Sequence, residues 1–206
     1  MKNYIIPILA LSLSIIWSCE NETVDKLKDV KNKVSTASKT VGNLSNIEEN
    51  AKKTESRMEE LKAMTAISND EFKEWMPEEL EDLKRTSYEF NTMMGATGNL
   101  SFANEEKSLE VTIIDGAGEM GSALFASQGM LGSLYGGFES ESDTKKQEIV
   151  ERDGLKSIET YYKNNNDSEL RITLEDRFIV SASGDNMTTD ELYAYVDNLH
   201  IDNLNN

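Results

Sequence analysis

The sequence predicts an α+β domain, a mostly antiparallel twisted sheet packed with helices, behind a partly helical N-terminal tether. Three observations point there. Short runs with apolar residues at alternate positions follow one another in hairpin-like succession between residues 83 and 182. Helical patterns stand before, between and after those runs, the segregated order of an α+β fold rather than alternating βαβ units. Ahead of them, residues 22–66 hold no Pro and one Gly among Lys, Glu, Asn, Ser and Thr. The chain's 206 residues suffice for one such domain plus an appendage.

Met1 to Ser18 carry one positive side chain, Lys2, then an apolar run from Tyr4 to Trp17. That is the layout of a secretory signal peptide. The run falls short of the roughly 20 apolar residues that a membrane-spanning helix needs. It ends in Ile16-Trp17-Ser18-Cys19, which resembles the lipobox of bacterial lipoprotein signal peptides, although Trp17 replaces the usual small or branched residue. Cys19 is the chain's one cysteine, so no intramolecular disulfide forms and the thiol stands where an acyl acceptor belongs. The resemblance implies cleavage before Cys19 and acylation of its sulfur and freed amine, each buried CH₂ contributing about 0.8 kcal/mol of anchoring. The alternative is an uncleaved N-terminal anchor in which Cys19 is incidental. Glu20 and Glu22 resemble the acidic signals that send some lipoproteins to the outer face of the outer membrane. The expected address is therefore the cell envelope, lipid-anchored in the outer membrane and facing the periplasm or the cell surface.

Net charge narrows the partners. The chain stands at −17, and losing residues 1–18 removes Lys2 and leaves −18. Such a molecule repels phosphate backbones, so nucleic acid is not an expected partner.

Residues 19–66 form the tether. Leu27, Val30, Val34, Ala37, Val41, Leu44, Ala51 and Met58 recur in helical steps, with slips at Glu48 and Glu55. The spacing lays a narrow stripe on one side of a helix, which at about 40 residues would reach roughly 60 Å. It reads as a spacer, with self-association through the stripe as the sharper alternative. Membrane-surface binding is opposed by Asp25 and Asp29 among Lys26, Lys28, Lys31 and Lys33.

The globular domain is expected over 67–206. Ser68-Asn69-Asp70-Glu71 fits a capping box for a short helix carrying Phe72 and Trp75. Pro77 to Leu80 looks like the first turn of another helix or turn. Strands are expected at Leu83–Asn91, Leu100–Ala103 and Leu109–Asp115, followed by a glycine-weakened helix from Glu119 to Tyr135. After an acidic loop (Glu139, Glu141, Asp143) come Lys146–Arg152, an Asp153-Gly154 hairpin turn and Leu155–Lys163. Leu170–Leu174 and Phe178–Ala182 complete the strands, and Thr188 to Glu191 caps a last helix with Leu192, Tyr195, Val196 and Leu199 on one face.

The stretches ISNDEFKEWMPEEL, LKRTSYEF, VTIIDGAGEMGS and LEDRFIVSASG, within Thr65 to Leu204, are similar to an uncharacterised group of exported bacterial lipoproteins. The strand order resembles the fold shared by the PsbP and Mog1 families, a twisted antiparallel sheet flanked by helices. The resemblance implies an address and a fold. It implies no chemistry.

Candidate chemistry is sparse. Gly116-Ala117-Gly118-Glu119-Met120-Gly121 is a G-x-G-x-x-G between a strand and a helix, as a dinucleotide fingerprint requires. Hairpins follow it instead of a βαβ unit, and Asp115 and Glu119 oppose a pyrophosphate, so it reads as a glycine-permitted turn. His200, the sole imidazole, sits beside Leu199 and Ile201 in the last helix and reads as a surface or capping residue. One His and a spent Cys make a zinc site improbable. Asp115 with Glu119, Glu139 to Asp143, and Asp185-Asn186 offer hard oxygens to calcium but read better as polar turns. Met93, Met94, Met120 and Met130 with Phe125 and Tyr135 read as core, with an apolar groove for lipid or peptide as the alternative. No catalytic, cofactor or metal residue is assigned. The expected function is a membrane-anchored, non-catalytic binding or interaction module, with an envelope protein as partner. A carboxylate-dependent hydrolase and a carrier of an apolar ligand are the alternatives.

Overall fold

The structure, a computed structural model, describes residues 41–93, 95–134, 138–152 and 154–205, with the backbone alone for 41–51, 128–134 and 205. The chain divides into two units, Met1–Asn43 and Leu44–Asn206. The expected leader, Cys19 and the expected tether as far as residue 40 lie outside the described residues. Among the described residues, no helix is long and apolar enough to cross a membrane.

The second unit is built on one sheet of nine strands, every neighbouring pair antiparallel, in the order β1-β2-β3-β4-β9-β8-β7-β6-β5. Strands β1 (Glu79–Leu80), β2 (Leu83–Asn91), β3 (Thr97–Ala103) and β4 (Ser108–Asp115) run as one meander. A helix, α3 (Gly118–Leu134), then carries the chain to the far edge of the sheet. From there β5 (Glu139–Glu141), β6 (Lys145–Arg152), β7 (Leu155–Tyr162), β8 (Asp167–Leu174) and β9 (Phe178–Asp185) return to pair with β4. Helices α1 (Val41–Ala63) and α2 (Asn69–Trp75) precede the sheet; α4 (Thr189–Asp197) and a 3₁₀ turn (Ile201–Asn205) follow it.

Alternation decides the faces. Leu100, Val111, Ala182 and Leu170 stand side by side across β3, β4, β9 and β8. With their neighbours they form the main core against Phe72 of α2, Leu192, Tyr195 and Val196 of α4, and Ile201. Each large side chain buried there contributes about 1.5–3 kcal/mol. The next row points the other way and is polar: Asn99, Thr112, Ser181 and Arg171. At one end of that second face Ile179 packs with Leu61 of α1 and Phe125 of α3, with Ile114 alongside.

Both predicted capping boxes are present. The Ser68 and Thr188 hydroxyls each accept the N–H three residues on, and Glu71 and Glu191 each reach back to the cap. Other elements differ from expectation. Pro77 to Leu80 does not start a helix: Glu79 and Leu80 pair with Lys84 and Leu83 as β1. The acidic run read as a loop supplies β5, whose Glu139, Ser140 and Glu141 pair with Glu148, Gln147 and Lys146. In both places the edge of a longer strand offers unpaired backbone groups that a short neighbour satisfies. The tether also ends differently. Leu61 is fully buried, and Arg57 donates to the carbonyls of Glu175 and Asp176 in the β8–β9 turn, so the last turns of α1 belong to the folded body.

Candidate functional site

The glycine motif after β4 has a structural explanation. Asp115, offered by the sequence to calcium, is wholly buried and committed elsewhere. Arg177 forks onto it, Nε to Oδ1 at 2.7 Å and Nη2 to Oδ2 at 2.8 Å. The same carboxylate accepts the N–H groups of Ile67 at 2.8 Å and Ala117 at 2.9 Å. Arg177 also donates to the Thr65 carbonyl at 3.1 Å, and its guanidinium lies 4.9 Å from the Phe178 ring centroid. A Cβ on Gly116 would stand 2.7 Å from the Arg177 carbonyl oxygen, and one on Gly121 would collide with that of Asp115. Gly118 holds φ +78° as α3 begins. These glycines let α3 start hard against the end of β4, and that close approach accounts for the motif.

The other sequence candidates disperse. His200 is exposed and lies beyond the end of α4 at φ +50°, so it is not a helical residue as read; its carbonyl accepts the Trp75 indole N–H at 3.2 Å. Asp185 accepts the Ser108 hydroxyl at 2.5 Å, and Asn186 donates to Asp167 and to the Glu106 carbonyl, tying three loops together. Among the described residues, no three His, Cys, Asp or Glu side chains stand together to hold a metal ion. Of the methionine set, Met93 and Met120 are exposed while Phe125 is buried under α3. Met94 and Tyr135, and the Met130 side chain, lie outside the description.

Among the described residues, an open concavity lies on each face of the sheet. The first, about 290 Å³, lies between β6–β7 and the first turn of α4, lined by Lys146, Glu148, Glu159, Tyr161, Thr188 and Thr189. Glu159 shares a register row with Leu170 and Ala182, so the face that is core further in turns to carboxylates here. Glu148 is its direct partner on β6. These two carboxylates, which the sequence did not single out, are both held by cations. Glu159 is buried and takes Arg152 Nε and Nη2 at 2.8 and 3.0 Å and the Ser157 hydroxyl at 2.9 Å. Glu148 takes Lys146 Nζ at 2.6 Å. Arg152 also reaches Asp190 at 2.7 Å and lies over the Tyr193 ring. The Glu159 hydrogen bond raises Arg152 above its already high pKa against the opposing effect of burial, and Glu148 raises Lys146 in the same way.

The second concavity, about 510 Å³, is the part of the polar face that α1 and α3 leave uncovered. Glu110, Thr112, Gln147, Thr160, Glu169, Arg171, Ser181 and Ser183 line it together with Ile158, Leu170 and Ala182, on five strands from β4 to β6. Here hydroxyls and amides bond mainly to one another: Thr112 to Asn99 at 2.7 Å, Gln147 to Thr160 at 3.2 Å, and Tyr162 to Glu169 at 3.1 Å. Among the described residues, no buried side-chain nitrogen or oxygen lacks a hydrogen-bond partner. The arrangement presents fixed donors and acceptors to a polar surface. No protein-family model, curated protein or solved structure matches the chain, so the reading of these concavities rests on their own residues.

Proposed function

We propose that the chain is an acyl-anchored lipoprotein of the bacterial envelope whose α+β domain, of the PsbP and Mog1 type, is a non-catalytic binding module. The leader and Ile16-Trp17-Ser18-Cys19 support the address. The observation that carries the binding role is the polar half-face of the sheet, an open concavity of about 510 Å³ spread over five strands. Its partner is an envelope protein, and the acidic balance of −17 sets nucleic acid aside. Both concavities are open and lined mostly by charged and hydroxyl side chains, which gives no support to carriage of an apolar ligand.

Two measurements test the reading. Cys19→Ala moves the protein from the membrane to the soluble fraction; a variant that stays membrane-bound rules out acylation. A photo-crosslinking residue at exposed Ser183 captures one envelope protein that the same residue at exposed Lys73 of α2, on the opposite side of the sheet, does not. Equal capture from both positions removes the binding face.

A second reading, a carboxylate-dependent hydrolase, has one observation in its favour. Glu148 and Glu159 are direct cross-strand partners, so two carboxylates line one concavity as a glycosidase pair would. Against it, Glu159 spends both oxygens on Arg152, leaving neither free to serve a leaving group. Release of reducing sugar from envelope glycans, abolished by Glu148→Gln with the fold intact, would overturn the non-catalytic reading.

A further inference from the structure

Among the described residues, the sheet is open at β2. Strand β1 covers only Leu83 and Lys84, and the Arg85 N–H donates to the Glu78 carbonyl at 2.9 Å. From Thr86 to Asn91, β2 has no neighbour on its outer side among the described residues. Every residue from Thr86 to Glu89 is exposed; the strip carries Tyr88 at 45% exposure, and Met93, at 87%, stands just beyond it. Open edges of this kind are templates for strand addition.

We infer that this edge pairs antiparallel with the same edge of a second copy of the chain, the two-fold axis passing through Tyr88. Strand parity and side-chain pairing select that register, and charge selects that occupant. A continuous sheet keeps its faces only if the axis passes through a residue, because a one-residue slip would turn side chains to the wrong side. An axis at Glu89 sets two carboxylates directly opposite each other, which destabilises a cross-strand pair. An axis at Tyr88 instead stacks the two tyrosines on the core side and sets Ser87 against the partner's Glu89 on the other. It also centres the pairing between the end of β1 and the turn at Asn91, where the Asn91 side chain accepts the Met93 N–H. An axis at Phe90 would run out of strand at once, and the Phe90 ring is already stacked on Phe72 at 5.0 Å. Charge agrees: β2 carries Lys84 and Arg85 against Glu89 in a chain of net −17, so two copies meet at this edge with little repulsion. The isologous contact closes on itself as a dimer.

Disulfide trapping tests it in the full chain, expressed with its leader and oxidised in the envelope. Directly opposed Cα atoms lie about 4.5–5.5 Å apart, within disulfide reach. Tyr88→Cys gives at least tenfold more crosslinked homodimer than Lys156→Cys, which is exposed on β7 away from this edge. Adding Ser87→Asp opposes the partner's Glu89 and lowers the yield, and adding Glu89→Lys to that variant restores it. Tyr88→Cys protein that melts like wild type but dimerises no more than Lys156→Cys overturns the inference. So does a crosslink from position 88 to a different protein, or a charge pair that rescues nothing.

Discussion

At the scale of single residues, the Asp115–Arg177 pair holds the most together. It joins the end of β4, the β8–β9 turn and the segment after α1 through one carboxylate and one guanidinium. Removing one partner of a buried pair strands the other charge and costs about 3–5 kcal/mol. Asp115→Ala should lower the urea unfolding midpoint by that equivalent, and a loss below about 1 kcal/mol would show that the pair is not a structural link. Sequence reading saw Asp115 as the end of a strand beside a glycine motif and as an oxygen donor for calcium, not as half of an ion pair. Its partner lies 62 residues away, a separation to which local patterning is blind. The Glu148–Glu159 pairing was closer to legible. An Asp153-Gly154 turn of two residues opposes Arg152 to Leu155, and counting back along both strands brings Glu148 opposite Glu159. What the sequence does not carry is which face that row joins, because this requires knowing that β7 lies beside β8.

At the scale of elements, helices α3 and α4 owe their positions to different devices. Alanine inside a helix ordinarily gains about 0.5–1 kcal/mol over glycine. At Gly121 the sign should reverse, because a Cβ there meets the Asp115 carbonyl oxygen, a backbone atom that cannot swing aside. Gly121→Ala should cost about 1–3 kcal/mol in a thermal or urea melt. A stabilised variant would disprove the close approach. Helix α4 is pinned through side chains instead: Glu191 to Lys107 at 2.9 Å and Tyr195 to Asp82 at 2.5 Å. The Lys107 hydrogen bond, then the Thr188 N–H and hydroxyl, hold the Glu191 carboxyl down to about 2 from 4.5. Its contribution is therefore present above the unfolded value and lost as pH falls from about 4.5 towards 2. Tyr195 is raised above 10.0, first by burial and then by Asp82, so its contribution is present below that value and lost as pH climbs past it. Glu191→Gln should make the acid limb of stability against pH shallower, and Tyr195→Phe the alkaline limb. Unchanged limbs in urea titrations across pH would contradict this pinning. The capping boxes were legible because a cap is a four-residue pattern; the pinning pairs were not, since Asp82 and Lys107 sit in turns far along the chain.

At the scale of the whole molecule, the decisive feature is where the folded body begins. Composition marks residues 22–66 as one polar stretch, and the change to period-two patterning invites a boundary at Ile67. Three links cross that boundary. Leu61 packs with Phe125 and Ile179, Arg57 bonds to the β8–β9 turn, and Arg177 takes the Thr65 carbonyl. One apolar residue per helical turn suffices to dock the end of α1, and so sparse a signal vanishes among Lys and Glu. A single buried leucine is worth about 2–5 kcal/mol when cut to alanine. Leu61→Ala should therefore destabilise the same unfolding transition that Asp115→Ala destabilises, not a separate one. Limited proteolysis followed by intact-mass measurement gives an independent reading. The stable fragment should begin upstream of Arg57, since scission between residues 57 and 67 would have to open the buried contacts of Leu61 and the bonds at Thr65 and Ile67. A stable fragment beginning at Ile67 or later, with the melting temperature of the whole chain, would return α1 to the tether and detach the Asp115–Arg177 link from its role in seating that helix.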